Sequence, residues 1–208
     1  MQSLRQRLIM QRLRQLSATI AYPLIGYRPE KVAAETWDQQ YRDGIWRRLR
    51  RIENLAGLAM ILGYCEFLDP KSILDVGCGE GLLAHKLRSR AYKDYLGVDV
   101  SDEAILQAQH LANDRTRFTV AQAESFDPGR TFDVIIFNQC LYYMAEPAAI
   151  LMRYQKFLVP QGRLIVSMYD TPRTRAAWRD VKRVMQVEDE ITTIQNNGRS
   201  TTAVLMPR

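Results

Sequence analysis

The chain has 208 residues, 47% hydrophobic and 25% charged, with a formal net charge of +6 from 29 Lys and Arg against 23 Asp and Glu. That length holds one full domain with a substantial core, and the composition sets aside disordered and fibrous classes. Three widely spaced cysteines, Cys65, Cys78 and Cys140, argue against a disulfide framework and for reduced, buried thiols in a cytoplasmic enzyme. No apolar run approaches the roughly 20 residues needed to span a bilayer.

Residues 3–17 read as a basic helix, with Ile9, Leu13, Leu16 and Ile20 at helical spacing and Arg5, Arg7, Arg12 and Arg14 between them, a pattern unlike a secretory leader. Such a helix can make peripheral contact with an anionic membrane surface or glycolipid. It can equally pack on the domain or on a twin subunit in a homodimer. Pro23, Gly26 and Pro29 punctuate a linker, so residues 1–30 are expected as helix and linker ahead of one domain at 31–208.

Residues 30–68 read as two helices parted near Asp43 and Gly44. In the second, Trp46, Leu49, Ile52, Leu55, Ala56, Ala59 and Leu62 form a stripe that can lie on a sheet, while Arg47, Arg48, Arg50 and Arg51 form a solvated face. No aromatic interleaving or nucleic-acid motif accompanies that basic run, so nucleic acid is not expected as a partner. Trp37, Tyr41 and Trp46 either roof over a ligand or pack helix against sheet.

The stretch from Ser72 to Gly81, S-I-L-D-V-G-C-G-E-G, joins an apolar strand to a helix through Gly77, Gly79 and Gly81. Helices are then expected at about 81–89, 102–112, 146–158 and 173–184. Strands are expected at 95–100, 117–123, 132–139 and 163–168, the last preceded by a V-P-Q-G turn. Two β-prone runs flanking N-N-G-R close the chain as a hairpin. The fold class is therefore α/β, a Rossmann-like seven-stranded, mostly parallel sheet with a C-terminal antiparallel hairpin and extra N-terminal helices.

In such sheets the ligand sits outside the carboxyl ends of the strands. Those ends carry Asp75 with its glycines, Asp99, Gln122 with Ala123, and Asn138 with Gln139. Asp99 stands about twenty residues beyond the middle glycine, where a carboxylate can accept from both hydroxyls of a ribose. Leu82 occupies the place of a dinucleotide site's third glycine, and Glu80 is an unwelcome charge beside a pyrophosphate, so an adenosine compound without phosphates fits better.

D-V-G-C-G-E-G, Asp99 and the terminal hairpin together resemble the class I S-adenosylmethionine-dependent methyltransferases, over about Trp37 to Pro207. The resemblance implies S-adenosyl-L-methionine as cofactor and a transferase of methyl groups. It gives Gly77, Cys78 and Gly79 as backbone contacts, Asp75 as holder of the loop and the cofactor's amino group, Asp99 on the ribose and Val100 beside the adenine. Gln122 and Ala123 stand where the family often has Asp and Ala; a Gln carbonyl can accept the same bond from the adenine amino group. Asn138 and Tyr41 join the expected cofactor-binding set. In that family the segment corresponding to Asn138 onward faces the transferable methyl, which makes Tyr142 and Tyr143 the candidate acceptor-pocket residues, one expected to line the pocket and the other to pack inward.

Cys140 is expected as a buried thiol, and His85 and His110 as exposed helix residues rather than bases. No metal-ligand spacing is present; Glu188, Asp189 and Glu190 read as a solvated run. With few bases on offer, the acceptor leans from hydroxyls toward amines, on a small molecule or a glycan- or lipid-linked intermediate. The competing readings are an RNA or protein methyltransferase, a non-catalytic cofactor-binding partner subunit and a nicotinamide-dependent oxidoreductase.

Overall fold

The structure is a computed structural model that describes residues 32–195 and 198–208. The expected basic helix at 3–17 and its linker lie outside the described residues. In chain order the elements are helix α1 (Ala34–Arg42), helix α2 (Leu55–Leu68), strand β1 (Ser72–Val76), helix α3 (Leu82–Leu87), strand β2 (Asp94–Asp99), helix α4 (Asp102–Ala108) and strand β3 (Thr116–Val120). Strand β4 (Phe132–Asn138), helix α5 (Pro147–Tyr154), strand β5 (Leu158–Tyr169), helix α6 (Pro172–Val184) and strands β6 (Met185–Gln195) and β7 (Gly198–Pro207) complete the domain.

The apolar runs pair into one seven-stranded sheet in the order β3-β2-β1-β4-β5-β7-β6. The first five strands are parallel, as buried Val, Ile and Leu runs require; β7 then pairs antiparallel with both β5 and β6. Strand periodicity divides the core. Val134 and Ile136 face α2 and α3 with Ile61, Leu83 and Leu87, whereas Ile135 and Phe137 are buried on the other side with Leu151, Tyr154 and Val181. Each such side chain contributes roughly 1.5–3 kcal/mol by leaving water. No helix of the described residues is long and apolar enough to cross a membrane.

Three expected boundaries move. The second N-terminal helix begins only at Leu55, because Ile45–Arg50 and Ile52–Asn54 are 3-10 turns separated by extended Arg51 (φ −81°, ψ 149°). Tertiary contacts override helix propensity there: Trp46 packs on Trp37 and Tyr41, and Arg50 Nε donates to Glu80 Oε1 at 2.9 Å. Strand β3 stops at Val120, since the Gln122 carbonyl turns to accept Ser125 N–H at 3.1 Å and Phe126 N–H at 2.9 Å. The V-P-Q-G stretch lies inside β5 as an irregularity, with Gln161 at φ 67° and the pairing register jumping between Phe132 and Val134.

Gly97 on β2 fixes how closely the sheet approaches the loop after β1. A Cβ there would lie 2.6 Å from Phe118 Cδ1 and 2.9 Å from Cys78 Sγ. Gly97→Ala should therefore lower the urea midpoint with unchanged slope, costing about 1–3 kcal/mol, and Phe118→Leu in the same chain should recover part of the loss.

Candidate active site

The site grows from the end of β1. Three successive amides of the loop are stapled to the end of β2. Gly77 and Cys78 both donate to the Val98 carbonyl, at 2.8 and 3.0 Å, and Gly79 N–H donates to Asp99 Oδ2 at 2.8 Å. The loop turns through Gly77 at φ 72° and Gly79 at φ 55°, conformations that favour glycine. A Cβ at Gly77 would stand 2.6 Å from Cys140 Cβ, and one at Gly79 would stand 2.5 Å from the Tyr41 hydroxyl.

Asp75 is 1% exposed and its Oδ2 accepts the Tyr95 hydroxyl. Its Oδ1 is buried with no hydrogen-bond partner among the described residues. Burial pushes this carboxyl up to about 7, against the Tyr95 hydrogen bond and with a further push from the Asp99 charge. Asp99 is raised too, by burial first, although the amides of Ser101, Gly79 and Val100 oppose the shift. Its Oδ1 accepts Ser101 N–H at 3.0 Å, and a carboxylate has lone pairs left for further donors. Glu80, 8% exposed, is neutralised by Arg50, so its charge does not face the loop alone.

Tyr41 covers Gly79, and a chain of aromatic contacts runs on from it. Trp37 meets Tyr143 edge-on with centroids 4.8 Å apart, Trp37 and Trp46 are 5.7 Å apart, Tyr41 and Trp46 6.1 Å, and Tyr142 and Tyr143 4.5 Å. The Arg173 guanidinium lies 5.4 Å from the Tyr142 ring and 5.8 Å from that of Tyr143. Trp46 Nε1 is a second buried polar atom with no partner among the described residues. Tyr41 and Tyr142 are both held well above the ordinary phenol range by burial, Tyr41 also by Asp99 and Tyr142 also by Tyr143. Tyr142 is buried at 8% exposure, whereas Tyr143 is half-buried at the rim of the roof.

At the end of β4, Asn138 Oδ1 accepts Ser167 Oγ–H at 2.8 Å. Gln139, at φ 58°, donates through Nε2 to Ser200 Oγ at 2.8 Å and to Ser167 Oγ at 3.2 Å, and its Oε1 accepts Tyr169 N–H at 2.9 Å. It thereby ties β4 to β5 and β7. As a residue Cys140 is half-buried rather than buried, while its thiol packs over Gly77 and donates to the Val76 carbonyl at 2.9 Å. Burial, with Asp75 and Asp99 nearby, pushes that thiol well above its usual range, so it stays protonated.

The structure thus brings Asp75, Gly77, Cys78, Gly79, Asp99, Tyr41 and Cys140 around one loop. Val100 follows β2, and exposed Gln122 and half-buried Ala123 lie beyond β3, the neighbouring strand; the Ala123 carbonyl accepts the Tyr154 hydroxyl at 2.9 Å. His85 is half-buried rather than exposed, in a cleft with Arg50, Glu80, Gly81, Lys86 and the exposed His110. Burial, then Arg88, Lys86 and Arg50, lower its pKa. Among the described residues no three His, Cys, Asp or Glu side chains are grouped to hold a metal ion. Sequence reasoning missed Tyr95, the partner of Asp75. Register held the signal: Asp75 pairs with Gly97, which puts Tyr95 diagonally beside it on the same face.

A family described as "Methyltransferase domain" matches residues 69–202. The ubiquinone biosynthesis O-methyltransferase of Bradyrhizobium diazoefficiens is 30% identical over 159 residues, and that of Acinetobacter baylyi 27% over 144; each match covers 66% of this chain and 58% of the relative. The chain therefore spans about three fifths of the length of these curated relatives. The crystal structure of N-methyltransferase NodS from Bradyrhizobium japonicum WM9, in complex with S-adenosyl-L-homocysteine, superposes with a TM-score of 0.73 at 16% identity, covering 84% of this chain and 97% of that one.

The residues present fit such a cofactor. The orphaned Asp75 oxygen suits an ammonium, Asp99 has lone pairs for ribose hydroxyls, and its hydrogen-bonded loop offers close backbone approach. An ammonium beside Asp75 favours the carboxylate over the acid. Binding of S-adenosylhomocysteine should accordingly release a proton below about pH 7, with affinity rising from pH 5.5 toward pH 7.5 and then levelling. Calorimetry in buffers of different ionisation enthalpy checks this; Asp75→Asn should abolish the proton release.

Proposed function

We infer the reaction from the premise that this chain belongs to the methyltransferase-domain family and is a class I S-adenosylmethionine-dependent methyltransferase. We propose that it transfers a methyl group to a nitrogen or oxygen of a small molecule or of a glycan- or lipid-linked intermediate. The observation that carries the cofactor side of this reading is an orphaned buried oxygen on Asp75, at the end of β1, together with Asp99, at the end of β2 and bonded to the glycine loop.

When bound, S-adenosylmethionine supplies an activated methyl on a sulfonium, so the protein's task is mainly alignment, for which proximity can contribute about 7–11 kcal/mol. In this reading Asp75 holds the ammonium, Gly77, Cys78 and Gly79 present backbone to the methionine part, and Asp99 orients the ribose. Val100, Gln122 and Ala123 border the adenine, and Asn138 stands at the methyl end. Trp37, Tyr41 and Trp46 exclude water, while Tyr143 lines the acceptor mouth against the packed Tyr142.

Among the described residues the phenols and thiols around the loop do not suit a general base, and Asp75, pushed up to about 7, is engaged in this reading by the ammonium. The chain has two histidines, and both line the cleft beside Glu80 and Gly81. Tyr41, Tyr142 and Cys140 all have raised pKa values. The acceptor therefore brings its own lone pair, as a neutral amine or as a hydroxyl acidic enough to ionise unaided. The naming of the relatives as O-methyltransferases favours the second form. The basic segment at 3–17, expected from its sequence to be a helix, would supply peripheral membrane contact or a homodimer contact. A donor labelled on its methyl group, incubated with cell extract and fractionated, should place label in small-molecule, glycan or lipid pools. Label confined to RNA or protein would overturn the substrate class. With the acceptor identified, kcat/KM should rise along the acceptor's own ionisation, and Asp99→Ala should lower donor affinity about 100-fold.

A further inference from the structure

Asp38 sits in the middle of α1, and its carboxylate reaches the start of α4. Its Oδ1 accepts the Ser101 hydroxyl and, at 3.2 Å, Glu103 N–H. Ser101 is fully buried; its Oγ accepts Ala104 N–H at 3.1 Å, and its own N–H donates to Asp99 Oδ1 at 3.0 Å. A serine has one proton to give, and here it goes to Asp38. Asp99 in turn holds Gly79 N–H through its other oxygen at 2.8 Å. The C-terminal end of α1 reaches the same loop. Gln107 Nε2 donates to the Tyr41 carbonyl at 3.3 Å, while the Tyr41 hydroxyl covers Gly79.

We propose that Asp38 is a positioning residue for cofactor capture, docking α1 on Ser101 and thereby fixing Asp99 and the glycine loop in the shape that holds the nucleoside. This rests on the methyltransferase reading and adds to it a residue that need not touch the ligand. Remove the carboxylate and the buried Ser101 hydroxyl loses its acceptor, so the segment that orients Asp99 can rotate, and α1 loses its hold on α4. An Asn at 38 keeps an oxygen in the same place.

The test uses the full chain with S-adenosylhomocysteine, followed by calorimetry and by the fluorescence of Trp37 and Trp46, two of the three tryptophans. Asp38→Ala should weaken binding about tenfold and speed release. In the ligand-free protein it should accelerate amide exchange at Ser101 and Gly79, while exchange in the β4 core is unchanged. Asp38→Asn should recover most of both effects, and Ser101→Ala combined with Asp38→Ala should cost less than the sum. Unchanged affinity with unchanged Gly79 exchange, or a loss that Asp38→Asn does not recover, would overturn the proposal. Wild-type protein that binds no S-adenosylhomocysteine would contradict the methyltransferase reading instead, and the exchange rates alone would then decide the positioning role.

Discussion

The site depends on one staple between neighbouring strands. The Val98 carbonyl and the Asp99 carboxylate accept the amides of Gly77, Cys78 and Gly79 in succession, so the end of β2 dictates the path of the loop after β1. That path in turn demands glycine. Cys140 and Tyr41 stand where side chains at 77 and 79 would project, so the loop is closed by protein as well as shaped for a ligand. It also concentrates negative charge. Burial raises the pKa of both Asp75 and Asp99, with a further push from Asp99 on Asp75 and from Asp38 on Asp99, a cost that a cationic, hydroxyl-rich ligand offsets on binding.

The same burial constrains the chemistry. Phenols and thiols around the loop are held in their protonated forms, which removes them as bases and leaves alignment and exclusion of water as the protein's contributions. Alignment is shared between rigid and added parts. Strands β1, β2 and β4 place the loop and the Asn138 end, braced by Gln139 across to β5 and β7. The N-terminal segment supplies the cover: Trp37 reaches Tyr143, Tyr41 reaches Gly79 and Arg50 reaches buried Glu80.

Much of this was legible in the sequence because it is local or periodic. The apolar runs gave the strands, the glycines their turn, and the two β-prone runs around N-N-G-R the terminal hairpin. What depended on partners distant in the chain was not. Residues 45–54 carry a helical stripe, yet Trp46 packs on α1 and Arg50 pairs with Glu80 of the loop, and the backbone follows them into 3-10 turns. Gln122 extends an alternating run, but its carbonyl begins a turn. At the site, Asp75 and Asp99 were visible as carboxylates ending strands; Tyr95 and Asp38, their direct and indirect partners, needed register and tertiary contact to be seen.

The central claim is that this loop, with its two buried carboxylates, receives an adenosine compound bearing an amino acid and not a pyrophosphate. Calorimetric titration of the wild-type chain with S-adenosylhomocysteine and, separately, with NADH tests it most directly. Saturable one-to-one binding of S-adenosylhomocysteine with no heat from NADH is the expected result. Binding of NADH with none of S-adenosylhomocysteine would contradict it.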